Sequence, residues 1–381
     1  MLIVVFWCSL SLILYTWIIY PFLLYILSKF ATENELNDNI FPSVSIIVPV
    51  FNQADRIDIK IQNLLDLEYP RGKVEIIVAS DGSTDGTVER VKALYPNVNA
   101  LAYPRVGKTT VQNKSVNRAK GEIIVFTDVD SLLENDALRK IVSFFGNEKI
   151  GCVASRVKWI NQSGTAVTEG GGFYWKYEQK LWKWESKIGA LAWGPGTCMA
   201  IRRSLFKPIP PFFGEDSVVP LDVVEQGFLV KYQQDAIVYD TWTEDPLTEF
   251  KARVRMTLRS FSGTIAKPYL ISPLRNLKYA WSIWSHKLFR WLTPYFALAL
   301  FTSNLTIIHI SIFYYILFLL QCAFYITGLI GIVLILTGKR IFLISHVGSF
   351  LLVLIGFAFA IFQSLKGKRI QLYKPVGSLN K

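Results

Sequence analysis

The chain has 381 residues, 51% of them hydrophobic, and a formal charge of +12 at neutral pH. That balance excludes a disordered chain and fits a membrane protein with a soluble part better than a nucleic-acid binder. The basic residues are dispersed and form no RNA-binding motif, so no nucleic-acid partner is expected. Anionic lipid headgroups or phosphorylated substrates suit them better.

Met1 to Ser28 contains no charged residue and is long enough to cross a bilayer. It lacks the basic start and small-residue cleavage site of a signal peptide, so residues 1–28 read as an uncleaved anchor. A polar linker, ATENELNDN, leads to a soluble domain over 42–250. That domain opens with VSIIV, Val44 to Val48, a buried strand closed by Pro49. A helix is expected from about Ala54 to Leu67, a second strand over Val74 to Ala79, and the loop SDGSTDGT. A helix from about Val88 to Leu94, a strand near Ala100 to Tyr103 and a helix from about Thr109 to Ala119 follow. Next comes GEIIVFTDVDS, whose apolar run Ile123 to Phe126 reads as another buried strand. Strand and helix alternate with short connections, which implies an α/β, doubly wound and mostly parallel sheet.

Beyond Asp130 the pattern loosens. A helix over Asn135 to Phe145, a strand around Cys152 to Val157 and a Trp- and Tyr-rich helical stretch from Gly170 to Ile188 are expected. WGPGTCMAIRRSLF and a helix over Asp216 to Glu225 follow, the latter capped at Gly227, and then a strand over Ala236 to Tyr239. Residues 251–291 mix Arg, Lys and Trp, as suits a helix lying at a membrane interface. Leu292 to Gly338 contains no Asp, Glu, Lys or Arg. It is too long for one span and reads as two, broken near His309; a third runs from Ile341 to about Leu365. That makes about three transmembrane helices over 292–365 and a basic tail over 366–381. Three spans after a cytosolic domain put Lys366, Lys368 and Arg369 outside, against the positive-inside rule. One segment is therefore re-entrant or interfacial, or the number of spans is off by one. The cysteines Cys8, Cys152, Cys198 and Cys322 have neither metal-site spacing nor a disulfide framework, which points to a reducing, cytosolic setting for the soluble domain.

Three motifs carry chemistry. Asp128 and Asp130, spaced by one residue at a strand end, can converge on one hard cation; the plain alternative is a helix cap. SDGSTDGT lies between a strand and a helix, where glycines let the backbone approach a ligand and the helix start favours anions. Asp81 there can bond a sugar or base, or the loop is an ordinary capped turn. Residues Ala102 to Thr109, AYPRVGKT, imitate a phosphate-binding P-loop but lack its first glycine; Lys108 can still serve a phosphate.

Taken in order, IIVPVFN, EIIVASDGSTDGT, RVGKTTVQNKSVNRAKGEIIVFTDVDS, GTCMAIRRSLF, Glu215-Asp216 before a helix, and RVRMTLR resemble the family 2 glycosyltransferases of GT-A fold. The likeness covers Ser43 to about Ser260, within the group related to cellulose and hyaluronan synthases. It implies a membrane-anchored enzyme that transfers a sugar from a nucleotide-sugar donor, UDP-linked by expectation, to a glycan or lipid-linked acceptor. The family reaction inverts the anomeric centre in one displacement and uses Mg or Mn. By the same resemblance Pro49, Asn52, Asp81, Lys108 and Asp128 bind the nucleotide, and Asp130 with Asp128 holds the metal. Asp216 is the catalytic base, and Arg255 and Arg259 face the diphosphate. Membrane lipid is an expected partner, and glycan-assembly or export proteins are possible ones. Two departures stand out. The family's Asn-Glu is Asn52-Gln53 here, and its QxxRW falls on Ala252 to Met256, without the Gln and Trp. Single addition and processive polymerisation therefore both stay open, beside a non-catalytic scaffold that keeps the fold.

Overall fold

The computed structural model describes residues 1–32, 37, 39–161, 166–241, 243–339 and 341–372, except the side chains of 166–171 and 173. Eight strands form one sheet: β1 (Val44–Val50), β2 (Val74–Asp81), β3 (Asn99–Tyr103), β4 (Ile123–Thr127), β5 (Leu132–Leu133), β6 (Ile150–Trp159), β7 (Cys198–Arg202) and β8 (Leu229–Asp240). Their order is β3-β2-β1-β4-β7-β6-β8-β5. β1 pairs in parallel with both β2 and β4, β2 with β3 and β6 with β8. β7 runs antiparallel between β4 and β6, and the short β5 antiparallel to β8.

The uninterrupted apolar runs follow from this position, since a parallel sheet is covered on both faces. Alternate residues of one strand serve opposite cores. Ile47, Ile77 and Phe126 join one cluster with Trp182, Trp193 and Leu221. Ile46, Val48, Val78 and Val125 join the other, with Ile57, Ile61 and Leu64 of the helix that follows β1.

Helices α2 (Ile57–Leu65), α3 (Thr87–Leu94), α4 (Lys108–Val116), α5 (Ala137–Val142), α6 (Ala166–Lys187), α7 (Glu215–Glu225) and α8 (Pro246–Ile265) complete the soluble part. They follow α1, the N-terminal helix Leu2–Phe30, which is continuous through a π turn at Tyr15–Ile19. The expected helices are present with shifted ends. The expected strands at 152–157 and 236–239 are segments of the longer β6 and β8, and CMAIR is an unforeseen strand, β7. The sequence hides β7 because its flanks carry glycines and arginines.

Residues 277–307 form one helix, α9, whose π turn spans Ile283–Leu288. α10 (Ile312–Leu336) and α11 (Phe342–Leu365) follow. Among the described residues three helices are long and apolar enough to cross a membrane: α1, α10 and α11. The break between α9 and α10 falls at residues 308–311, as the sequence implies. α9 departs from a simple interface helix. Its His286 and Arg290 are fully buried. His286 bonds Glu185 at 2.7 Å and Glu178 at 2.6 Å, and Arg290 pairs with Glu178 at 2.7 Å. Tyr20 of α1 donates to the same Glu185 at 2.6 Å, so anchor, α6 and α9 share one buried polar cluster.

α11 resolves the charge conflict. Its start, Phe342 and Leu343, shares a cleft with Pro246 and Glu249 of α8. At its end Ser364 meets Ser262 of α8 at 3.0 Å. Beyond it the Ile370 carbonyl accepts from Arg259 at 2.9 Å, and Gln371 Nε2 donates to the Val106 carbonyl at 2.9 Å. Both ends of α11 therefore lie on the soluble domain, and Lys366, Lys368 and Arg369 stay on that domain's side.

Candidate functional site

Strands β1, β2, β4 and β8 point their C-terminal ends at one edge of the sheet, the usual place for ligands in open α/β sheets. There a cavity of about 440 Å³ is lined by Pro49, Asp81, Lys108, Asp128, Asp130, Asp216, Arg255 and Arg259. These are all but one of the residues singled out from the sequence. Asn52 stands behind the rim. It takes a left-handed backbone, φ 52°, which Asn tolerates better than most residues. Its Oδ1 accepts from the Thr84 amide at 2.9 Å, and its own amide donates to Ser83 Oγ at 3.0 Å. Asn52 thus staples the SDGSTDGT loop to the end of β1.

The Asp81 carboxylate is already engaged. Oδ1 accepts from the Val106 and Gly107 amides at 2.7 and 2.8 Å, and Oδ2 pairs with Arg105. The Arg105 guanidinium lies 3.6 Å from the centroid of the Phe51 ring, so it fills a slot between Phe51 and Asp81.

Around Asp128 charges alternate. Lys108, in the first turn of α4, bridges Asp128 at 2.6 Å and Glu215 at 2.5 Å. Burial pushes Glu215 up, but the Lys108 and Arg259 cations outweigh it and hold the carboxyl at about 2. Its neighbour Asp216 moves the other way. Burial and the Glu215 charge raise it to about 6. Two adjacent acids driven apart in this manner are a recognisable acid/base arrangement. Asp128 is also raised, by burial first, with Lys108 opposing and Asp130 adding.

Behind the Asp pair are two groups that the sequence reading missed. Lys60 of α2 is fully buried and donates to Thr127 Oγ1 at 2.9 Å and to the Ser131 carbonyl. Burial lowers it to about 8, against the influence of Cys198 and of Asp128, Asp130 and Asp240. Asp240, at the end of β8, lines the same cavity and accepts from Ser131 Oγ at 3.1 Å. Burial and the Asp130 and Asp128 charges raise it to about 7. A signal existed for each. Lys60 sits on the apolar face of α2 between Ile57, Ile61 and Leu64. AIVYD ends a strand in an acid just as VFTD does.

The arginines differ. Arg255 is half-buried on the cavity wall. Arg259 is 5% exposed and clamps its surroundings. Nη2 donates to Thr109 Oγ1 at 2.7 Å and to the Phe213 carbonyl, and Nη1 to the Ile370 carbonyl. The far wall is aromatic: Trp159, Trp175, Trp182, Trp193 and Trp291, with Lys287 among them. Among the described residues the buried indole N–H groups of Trp182 and Trp193 have no acceptor.

A hard divalent cation fits the donor set. Asp130 and Asp128 supply carboxylate oxygens of the type Mg and Mn prefer. No protein hydrogen bond or ion pair engages the Asp130 carboxylate among the described residues. These residues also contain no group of three His, Cys, Asp or Glu arranged as a complete metal site, so a ligand would have to finish the coordination.

Residues 45–209 match the model of the family described as Glycosyl transferase family 2. An N-acetylglucosaminyltransferase of Rhizobium meliloti (strain 1021) is 29% identical over 252 residues, 61% of this chain and 58% of that protein. A hyaluronan synthase of Pasteurella multocida is 31% identical over 150 residues, 38% of this chain and 15% of that one. The chain thus spans a little more than half the length of the first of these relatives and 15% of the second. Among solved structures, a mannosyltransferase from Pyrobaculum calidifontis in complex with GDP-Man and Mn2+ superposes with a TM-score of 0.72. It covers 97% of this chain and 100% of that one at 20% identity, a likeness of fold. Residues 45–209 thus match a family 2 glycosyltransferase domain, the chain shares its fold with a solved glycosyltransferase, and helices apolar enough for a membrane are joined to that domain.

Proposed function

We propose that the chain transfers a sugar from a nucleotide-sugar donor, with UDP as the expected nucleotide, to a glycan or lipid-linked acceptor beside the membrane, inverting the anomeric centre. One observation carries this reading. A single cavity gathers Asp81, Lys108, Asp128, Asp130, Asp216 and Arg255, which come from five separate elements and connections.

In this reading the nucleoside enters beside Phe51 and Asp81, displacing Arg105 from its slot. Asp128 and Asp130 would hold a divalent ion. That ion, when bound, neutralises the leaving diphosphate, as charge stabilisation of a departing phosphate requires. Arg255 adds positive charge at the same end. Arg259 works indirectly, since its donors are committed to the loops that carry Thr109 and Phe213. Asp216 accepts the proton of the acceptor hydroxyl. A carboxylate poised near 6 suits that task better than an ordinary surface aspartate, because a base works best when its pKa is near the working pH. Glu215 stays ionised beside Lys108 and keeps the Asp216 proton affinity high. An α-linked donor then gives a β-linked product.

The test is direct. Purified full chain is incubated with candidate nucleotide sugars and acceptors, and the product's anomeric proton is read by NMR. A β-linked product from an α-linked donor is expected. A retained configuration, or no donor consumed at all, overturns the reading.

A further inference from the structure

Beside the candidate active site lies a second cavity of about 640 Å³, well within the range of ligand pockets. Its walls are apolar and come from the membrane-type helices: Phe324 and Ile335 of α10, Val347, Phe350 and Val353 of α11, and Trp17 of α1. α8 and α6 close the remaining side. Three residues, Tyr174, Glu249 and Arg253, line both cavities, so only these side chains separate the apolar cleft from the aromatic wall of the polar one, which we take as the acceptor end. The acceptor end also holds the two indole N–H groups of Trp182 and Trp193, buried without acceptors. Buried donors of this kind ordinarily find a partner, and a hydroxyl-bearing ligand would supply one.

We propose that the acceptor is an amphiphile, with its hydrocarbon chain in the cleft of α8, α10 and α11 and its hydroxyl-bearing head between Trp182, Trp193 and Asp216. This rests on the transferase reading above and narrows its acceptor. The head group is uncharged. Arg253 guards the neck, but Glu249 already neutralises it at 2.7 Å, and Lys287 faces Glu178 at 3.3 Å. Lys287 shares Glu178 with Arg290, but Arg253, the one cation lining both cavities, has its own carboxylate, so the neck itself offers no cation in need of a lipid phosphate. α10 and α11, which wall the cleft, are both apolar enough to sit in a bilayer's hydrocarbon. A chain can enter sideways from the membrane while the head reaches the soluble domain.

The experiment uses full-length protein in lipid nanodiscs and a hexadecyl β-glucoside carrying a diazirine in its chain. Irradiation and peptide mass spectrometry locate the label. Label is expected on α11 residues 343–353 and on Phe250, with at least tenfold competition by decyl β-glucoside and little by methyl β-glucoside or decyl phosphate. Val347→Trp, which fills the cleft, removes at least nine-tenths of that label. Competition on the wild type gives the same answer should the variant fail to fold. Occupancy is also expected to accelerate nucleoside diphosphate release, with the apparent KM falling about fourfold per added methylene until the cleft is full. Label scattered over the outward faces of α1 and α10 overturns the proposal. So does a labelled cleft whose occupancy leaves diphosphate release unchanged, which makes it a seat for structural lipid. Preferred competition by decyl phosphate overturns the uncharged head. Donor consumption by the wild type across acceptors of every kind separates the two levels. If no nucleotide sugar is consumed with any acceptor, the transferase reading itself fails; if one is, only the acceptor inference is at stake.

Discussion

Asp216→Asn keeps the shape of the side chain and removes its ability to take a proton. A positioned general base contributes about 10²–10⁴ in rate, roughly 3–5.5 kcal/mol of barrier. The variant should lose turnover by that factor while its donor KM stays within about threefold, because the donor is held by other residues. The wild type has its own signature. Asp216 sits at about 6, so activity should be level above pH 7 and fall about tenfold per pH unit below 6. The residual activity of the variant should lack this limb. Stability adds an independent check. The folded value lies above the usual 3.8, so ionising Asp216 opposes folding. The stability present at low pH is lost as pH rises from about 4 through 6, by up to about 3 kcal/mol. The amide escapes that loss, so Asp216→Asn should melt no lower than the wild type at pH 8, and its advantage should vanish near pH 4. Turnover above a third of wild type, or a wild-type profile flat through pH 6, would refute the assignment.

Lys108→Met removes the cation shared by Asp128 and Glu215. Both acids and Asp216 should then hold protons more tightly, moving the acid limb of activity up by roughly one pH unit; an unmoved limb contradicts the bridge. Lys60→Met leaves the Thr127 hydroxyl and the Ser131 carbonyl without their buried donor, at about 1–3 kcal/mol each. A drop in melting temperature of roughly 5–10 °C is expected by calorimetry, and an unchanged value would show that Lys60 supports nothing. In a chain stripped of its four native cysteines, Lys368→Cys and Lys73→Cys should react with an impermeant maleimide in the same vesicle orientation. Labelling from opposite faces would mean that α11 crosses the membrane after all.

Much of this was legible in the sequence, and the pattern of success has physical reasons. β1, β2 and β4 are short apolar runs ending in Pro49, Asp81 and Asp128, and both the strands and their polar ends declare themselves locally. The Asp pair and Glu215-Asp216 are recognisable because adjacency in sequence is adjacency in the site. Lys60, Asp240 and Lys287 stayed hidden because only the tertiary fold brings them to Asp130 or to the aromatic wall. α11 was expected as a span and is apolar enough for one, but the sequence could not show its packing on the soluble domain. Composition says that a helix can enter a membrane, while its packing on Phe250, Val254 and Ser262 decides whether it crosses. The basic tail held the clue, because its charges disagree with a third crossing. The Trp-rich stretch of α6 gave an equally mixed message. Trp182 is 4% exposed and packs in the core, yet it also walls the cavity, so packing and ligand contact were not alternatives.

The central claim is that Asp130 serves a divalent ion on a nucleotide-sugar diphosphate. Nucleoside diphosphate release by the purified full chain, measured across a panel of nucleotide sugars, tests it most directly. The account predicts that at least one donor is consumed with Mg or Mn present and none with EDTA. It also predicts that Asp130→Ala loses at least a hundredfold in rate while melting within a few degrees of the wild type. Donor turnover that survives EDTA, or an Asp130→Ala protein that turns over at wild-type rate, would contradict it.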